Sequence, residues 1–123
     1  MGYSHGGNVA ALVTHMIERP VNNLVTLGTP VRSDYQPNMN NVIRHTNAYS
    51  NIDFVQSPLG GKLTVGAALG IGLPPISIGL LLPQRTYDNA NNIEVTRQAG
   101  LRRPHRDMPS QAVWNRIDQQ ILR

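Results

Sequence analysis

Apolar positions recur at helical spacing at the two ends of this chain and gather in short β-branched runs between them, and the change from one to the other marks the elements. From Asn8 to Arg19, Val9, Leu12, Val13, Met16 and Ile17 repeat at spacings of three and four. That pattern predicts an amphipathic helix with these five side chains on its buried stripe and Pro20 as its stop. Asn23 to Leu27 is a short β-branched run closed by Gly28-Thr29-Pro30, which suits a buried parallel strand ending in a functional loop. Arg32 to Asn41, with Asp34, Pro37 and several amides, reads as loop. Val42 to Ser50 is a second strand, carried by Val42, Ile43, Thr46 and Tyr49, and Asn91 to Gln98 is a third, around Ile93 and Val95. A final helix starts near Pro109-Ser110, with Ala112, Val113, Ile117, Ile121 and Leu122 on one stripe and Trp114 on its flank. Strands alternating with helices give an α/β class: parallel strands with flanking helices.

Length and composition narrow the picture modestly. At 123 residues the chain reads as a single domain, 1–123, with an unusual insert at about 58–83 that is rich in Gly, Leu and Ile and broken by Pro74-Pro75. The apolar stretch within it is about as long as a membrane helix requires, but its glycines, the proline pair and Lys62 argue against a regular span. Lys and Arg number 11 against 7 Asp and Glu, a net charge of +4 that raises the question of acidic partners. Arg97, Arg102, Arg103 and Arg106 are the only basic cluster, and no aromatic platform is interleaved with it, so a basic loop is expected and a nucleic-acid partner is not. Without cysteine, disulfides and thiolate metal sites are excluded. The histidines show no metal-ligand spacing, so no metal is expected; His15 and His45 read as structural. No secretory signal is visible, which leaves a cytoplasmic location as the default.

The chemistry concentrates at Gly2-Tyr3-Ser4-His5-Gly6, which satisfies G-x-S-x-G, a turn whose glycines relieve crowding so that a strained serine can project its hydroxyl above a sheet. A serine ahead of an Ala-containing helix equally suits a helix N-cap. Two features favour a nucleophile. A helix follows at once, which puts the His5 amide at a helix N-terminus suited to an oxyanion. Asp53 then follows one strand and His105 a later one, in the chain order Ser, Asp, His. A serine hydroxyl needs a neutral imidazole to take its proton, and the imidazole needs a carboxylate to hold its tautomer.

GYSHGG before an Ala-containing helix, LVTLGTPVR, YSNIDFVQ and HRDMPSQAVWNRI together resemble α/β-hydrolase lipases and esterases over nearly the whole chain. The resemblance implies Ser4 as nucleophile, Asp53 as acid, His105 as base and the His5 N–H as an oxyanion donor, with a carboxylic ester of a small molecule or lipid as substrate and no cofactor. Asp34 is the alternative acid, because some hydrolases place it after the preceding strand; Asp107 is assigned to pairing with Arg103 or Arg106.

Hydrolases of this family have four or five strands ahead of the serine turn, so this chain corresponds to the C-terminal half: a partial α/β-hydrolase fold of about three parallel strands with an exposed edge. A fragment, a split enzyme completed by another chain, and a shortened, catalytically silent module that binds another polypeptide or self-associates through that edge are the readings this leaves. The insert could be a lid or acyl-binding lobe, or simply core; as a lid it would favour apolar acyl chains, at about 0.8 kcal/mol per buried CH₂.

Overall fold

The computed structural model describes residues 1–52 and 84–121. Asp53, the insert at about 58–83 and Leu122 lie outside the described residues.

Four parallel strands form one sheet in the order β1-β2-β3-β4: β1 Gly2–Tyr3, β2 Val21–Leu27, β3 Val42–Tyr49 and β4 Asn91–Glu94. The helices among the described residues are α1 His5–Val13, α2 Thr96–Ala99 and α3 Gln111–Ile121. The α/β arrangement read from the pattern is therefore present, with one strand more than the three expected. Gly2 and Tyr3 supply it by pairing with Thr26 and Leu27.

Strand alternation gives the sheet two unlike faces. Val25, Leu27, Ala48 and Ile93 point to one, where they join Val95 and Ala99 around α2 and Val113 and Ile117 of α3. Val113 and Ile117 are fully buried, and removing side chains of this size from water stabilises by roughly 1.5–3 kcal/mol each. The stripe expected on the last helix is thus the buried one, except that Ala112 is exposed.

The opposite face carries a row of polar side chains beside the buried Leu24. Thr26 donates to Asn47 Oδ1 at 3.0 Å, and Asn47 Nδ2 donates to Asn92 Oδ1 at 2.9 Å and to the Arg85 carbonyl at 2.9 Å. Asn92 in turn donates to the carbonyls of Tyr87 and Ala90, tying the segment before β4 to the sheet. The helix α1 lies over this face: Gly2 shares it with Thr26, and a Cβ on Gly2 would fall 2.4 Å from Gly7 Cα of α1.

The orientation of α1 overturns an expectation. Its buried residues are Gly7, Asn8 and Ala11, followed by Thr14, whereas Val9, Leu12, Val13, Met16 and Ile17 are exposed by 39–80%. The helix enters directly from the turn at Ser4, and only small side chains allow its backbone to approach the sheet so closely. It also stops at Val13, not Arg19. Asn41 Nδ2 donates to the carbonyls of Thr14 and Ile17, and Thr14 Oγ1 accepts from the Asn38 amide, so the loop after β2 satisfies the groups that another helical turn would have used.

The third strand is shorter than the pattern suggested. Val95 leaves the strand conformation at φ −129°, ψ 23°, and the Ala99 amide bonds back to its carbonyl. Val95 and Ala99 both reach the core at a helical spacing of four. Among the described residues no helix is long and apolar enough to cross a membrane.

His45 is buried on the face that carries Thr26, where its Nε2 lies 3.0 Å from Thr26 Oγ1 and its ring 4.6 Å from that of Tyr87. Thr26 already donates to Asn47, so His45 Nε2 carries the hydrogen. Burial pushes the His45 pKa down to about 4 and that of Tyr87 up to about 12. Between pH 6.5 and about 4 the unfolded chain therefore binds a proton that the folded chain does not, and stability falls as pH is lowered through that window. The loss is of order 2 kcal/mol, after allowance for water reaching the cavity of about 220 Å³ that His45 and Tyr87 help to line. Urea unfolding of wild type and His45→Gln should show their free-energy gap shrinking by that amount between about pH 7 and about pH 4.5. An unchanged gap would mean that His45 charges without penalty.

Candidate functional site: a serine and a histidine above the sheet

Ser4 sits between β1 and α1 with φ 53° and ψ −132°, and is the one non-glycine residue with positive φ among the described residues. Holding an L-residue there costs of the order of 1–3 kcal/mol and persists only where the surroundings enforce it. Three contacts do so. The Ser4 amide donates to the Leu27 carbonyl at 2.9 Å, the Gly7 amide donates to the Ser4 carbonyl at 3.0 Å, and Gly2 and Gly7 have no room for a side chain. Gly6, the second glycine of the pentapeptide, meets nothing within 4 Å of an added Cβ. Although Ser4 occupies the N-cap position of α1, its side chain makes no capping hydrogen bond.

The hydroxyl instead faces His105: Ser4 Oγ and His105 Nε2 are 2.9 Å apart across 101 residues of sequence, and the contact is half-buried. His105 lies in the turn-rich segment between α2 and α3. Tyr3, the residue before Ser4, donates its hydroxyl to the His105 carbonyl at 2.8 Å, and the two rings are 5.2 Å apart. The Met108 amide also donates to that carbonyl, and the Met108 side chain is fully buried in the core. The same two-residue strand thus presents the serine and fastens the loop that carries the histidine. With Nε2 accepting the serine proton, the hydrogen of a neutral ring sits on Nδ1. Such a pair can transfer a proton from a hydroxyl and raise its nucleophilicity.

Of the other candidates, Asp53 lies outside the described residues. His5 is the first residue of α1, so its N–H has no acceptor within the helix, and its ring Nδ1 lies 3.4 Å from Nδ2 of the buried Asn8. Asp34 is exposed and held by Arg32, Nη2 to Oδ2 at 2.7 Å and Nε to Oδ1 at 2.9 Å; this guanidinium keeps its carboxyl below the usual carboxylate range. Asp107 does not pair with an arginine as expected: the only salt bridge among the described residues is Arg32–Asp34, and Asp107 contributes its amide to the Arg103 carbonyl. His15 Nε2 lies 2.8 Å from the Gln36 carbonyl at the surface. Among the described residues no group of three His, Cys, Asp or Glu could hold a metal ion.

Tyr3, Gly7 and Met108 were not singled out from the sequence. A signal existed for two of them: Tyr3 adjoins the serine, and Met108 is an isolated apolar residue three places after the histidine. The need for Gly7 arises from the fully buried Thr29, whose approach is not legible in the local pattern.

Comparison of the chain with family models, curated proteins and solved structures finds no match in any of the three.

Proposed function

We propose that the protein is a serine hydrolase of the α/β-hydrolase esterase and lipase type, cleaving carboxylic esters through an acyl-serine intermediate. The observation that carries this reading is the 2.9 Å approach of His105 Nε2 to Ser4 Oγ, with the serine held at positive φ between a strand and a helix. In the first half-reaction Ser4 Oγ attacks the ester carbonyl carbon while its proton passes to His105 Nε2. The carbonyl electron pair moves onto oxygen, which the His5 N–H is positioned in sequence to stabilise. Collapse of that adduct breaks the bond to the alcohol, which leaves with the proton held by His105. In the second half a water gives its proton to His105 and attacks the acyl-serine, and collapse releases the carboxylic acid and returns the proton to Ser4 Oγ. Asp53 is the proposed acid that orients the imidazole and stabilises its charged form.

A fluorophosphonate probe tests the reading directly, because an activated serine displaces fluoride from phosphorus and is left covalently tagged. Wild type should label in a time-dependent manner and Ser4→Ala should not. A folded wild-type chain that fails to label, or equal labelling of both, would overturn it.

A second reading, a catalytically silent hydrolase-like module that binds another polypeptide, is favoured by the exposed stripe on and just beyond α1, from Val9 at 54% to Met16 at 80%. It predicts a folded chain that does not label and gains stability only when a partner polypeptide is added.

A further inference from the structure

We propose that the segment Leu101–Arg106 is a recognition loop for an anionic lipid surface, and that it seats the Ser4–His105 pair at that surface. The consequence for catalysis rests on the hydrolase reading; the binding itself does not.

Arg102, Arg103 and Arg106 are all exposed, as is Arg97 one turn earlier on α2. Asp107 is the sole acidic residue between Val95 and Asn115, and none of these four arginines forms an ion pair among the described residues. The contrast with Arg32, whose Nε and Nη2 both donate to Asp34, is chemical: the loop guanidiniums keep their planar donor pairs available for external oxyanions. Leu101 stands at the head of the cluster and is 78% exposed. An apolar side chain beside guanidiniums suits a boundary where phosphates meet acyl chains, because the cations bind headgroups while the leucine enters the apolar layer. A polynucleotide offers phosphates but no apolar layer, and the loop lacks the aromatic side chains on which bases stack.

The loop is also held in place before any ligand arrives. The Tyr3 hydroxyl and the Met108 amide fix the His105 carbonyl, the Asp107 amide donates to the Arg103 carbonyl, and Met108 is buried. Little ordering entropy would then be lost on docking. Because His105 lies between Arg103 and Arg106, whatever binds these arginines is delivered to within a few residues of the Ser4 hydroxyl.

The test is flotation of the full 123-residue chain with vesicles of phosphatidylcholine alone and of phosphatidylcholine mixed equally with phosphatidylglycerol, at low and high salt. Binding should be confined to the anionic vesicles and fall with salt. Each arginine near such a surface contributes about fivefold, so replacing Arg102, Arg103 and Arg106 together with Gln should weaken binding about 100-fold. Leu101→Ser should weaken it several-fold without changing the salt dependence. Equal binding to both vesicles, binding to neither, or full binding by the triple variant would overturn the proposal. So would tighter retention of a single-stranded oligonucleotide than of anionic vesicles at the same salt. Wild type that floats yet fails to take a fluorophosphonate would sink the hydrolase reading and leave the lipid-surface reading standing.

Discussion

Alanine in place of His105 is expected to lower ester turnover by about 10⁴–10⁶-fold while shifting unfolding stability by about 1 kcal/mol or less. The two effects separate because the residue has two ends. Its imidazole meets the Ser4 hydroxyl at 2.9 Å, and without it the hydroxyl has no base to take its proton. Its carbonyl accepts from the Tyr3 hydroxyl and the Met108 amide, bonds that alanine preserves. The ring contributes the 5.2 Å contact with Tyr3 and is only half-buried, so its removal opens no sealed cavity. Steady-state hydrolysis of a short-chain aryl ester, measured beside urea unfolding, checks both halves. Unchanged turnover would place the activity elsewhere in the molecule, and a collapse of stability would make His105 a structural residue.

The second large effect contrasts two neighbouring glycines. Gly7→Ala should destabilise the chain by about 3 kcal/mol. The new Cβ would lie 1.9 Å from Thr29 Oγ1, 2.7 Å from its Cγ2 and 2.8 Å from its Cβ, and rotating the threonine cannot relieve all three. Thr29 is fully buried, so either α1 or the loop after β2 must move, and with it the hydrogen bond from the Gly7 amide that fixes the Ser4 carbonyl. Gly6→Ala should instead stabilise by about 0.5–1 kcal/mol, because an alanine Cβ there meets nothing and replaces glycine in an exposed helical position. Thermal unfolding of the two variants reads the difference. If both substitutions had the same sign, the close approach of α1 to Thr29 would be wrong.

These glycines also show how far the local pattern reaches. G-x-S-x-G names Gly2 and Gly6, and a strand-to-helix turn at Ser4 is present, yet the steric need lies with Gly2 and Gly7. A motif records which residues recur around a turn; which of them is crowded depends on the partner that packs there, here a threonine 22 places away. The β-branched runs that marked β2 and β3 succeeded because both strands are buried on consecutive positions toward their C-terminal ends, as Thr26, Leu27, Asn47 and Ala48 illustrate, and the helical spacing of α3 succeeded because Val113 and Ile117 are buried on that spacing. The stripe on the first helix failed because the turn at Ser4 dictates which side of α1 meets the sheet, and small residues pack there in preference to Val9, Leu12 and Val13.

By itself, then, the sequence determined the β-branched runs that become the central strands, the helix whose burial follows its own spacing, the α/β class, and the residue types able to perform nucleophilic chemistry. Only the tertiary structure decided which of those residues meet. The approach of His105 to Ser4 spans 101 positions and depends on Tyr3 reaching from β1 to the loop before α3. The Thr26–Asn47–Asn92 ladder depends likewise on the register of three strands. Contacts of this range arise when several independently formed elements share one core, and no local repeat along the chain encodes their mutual register.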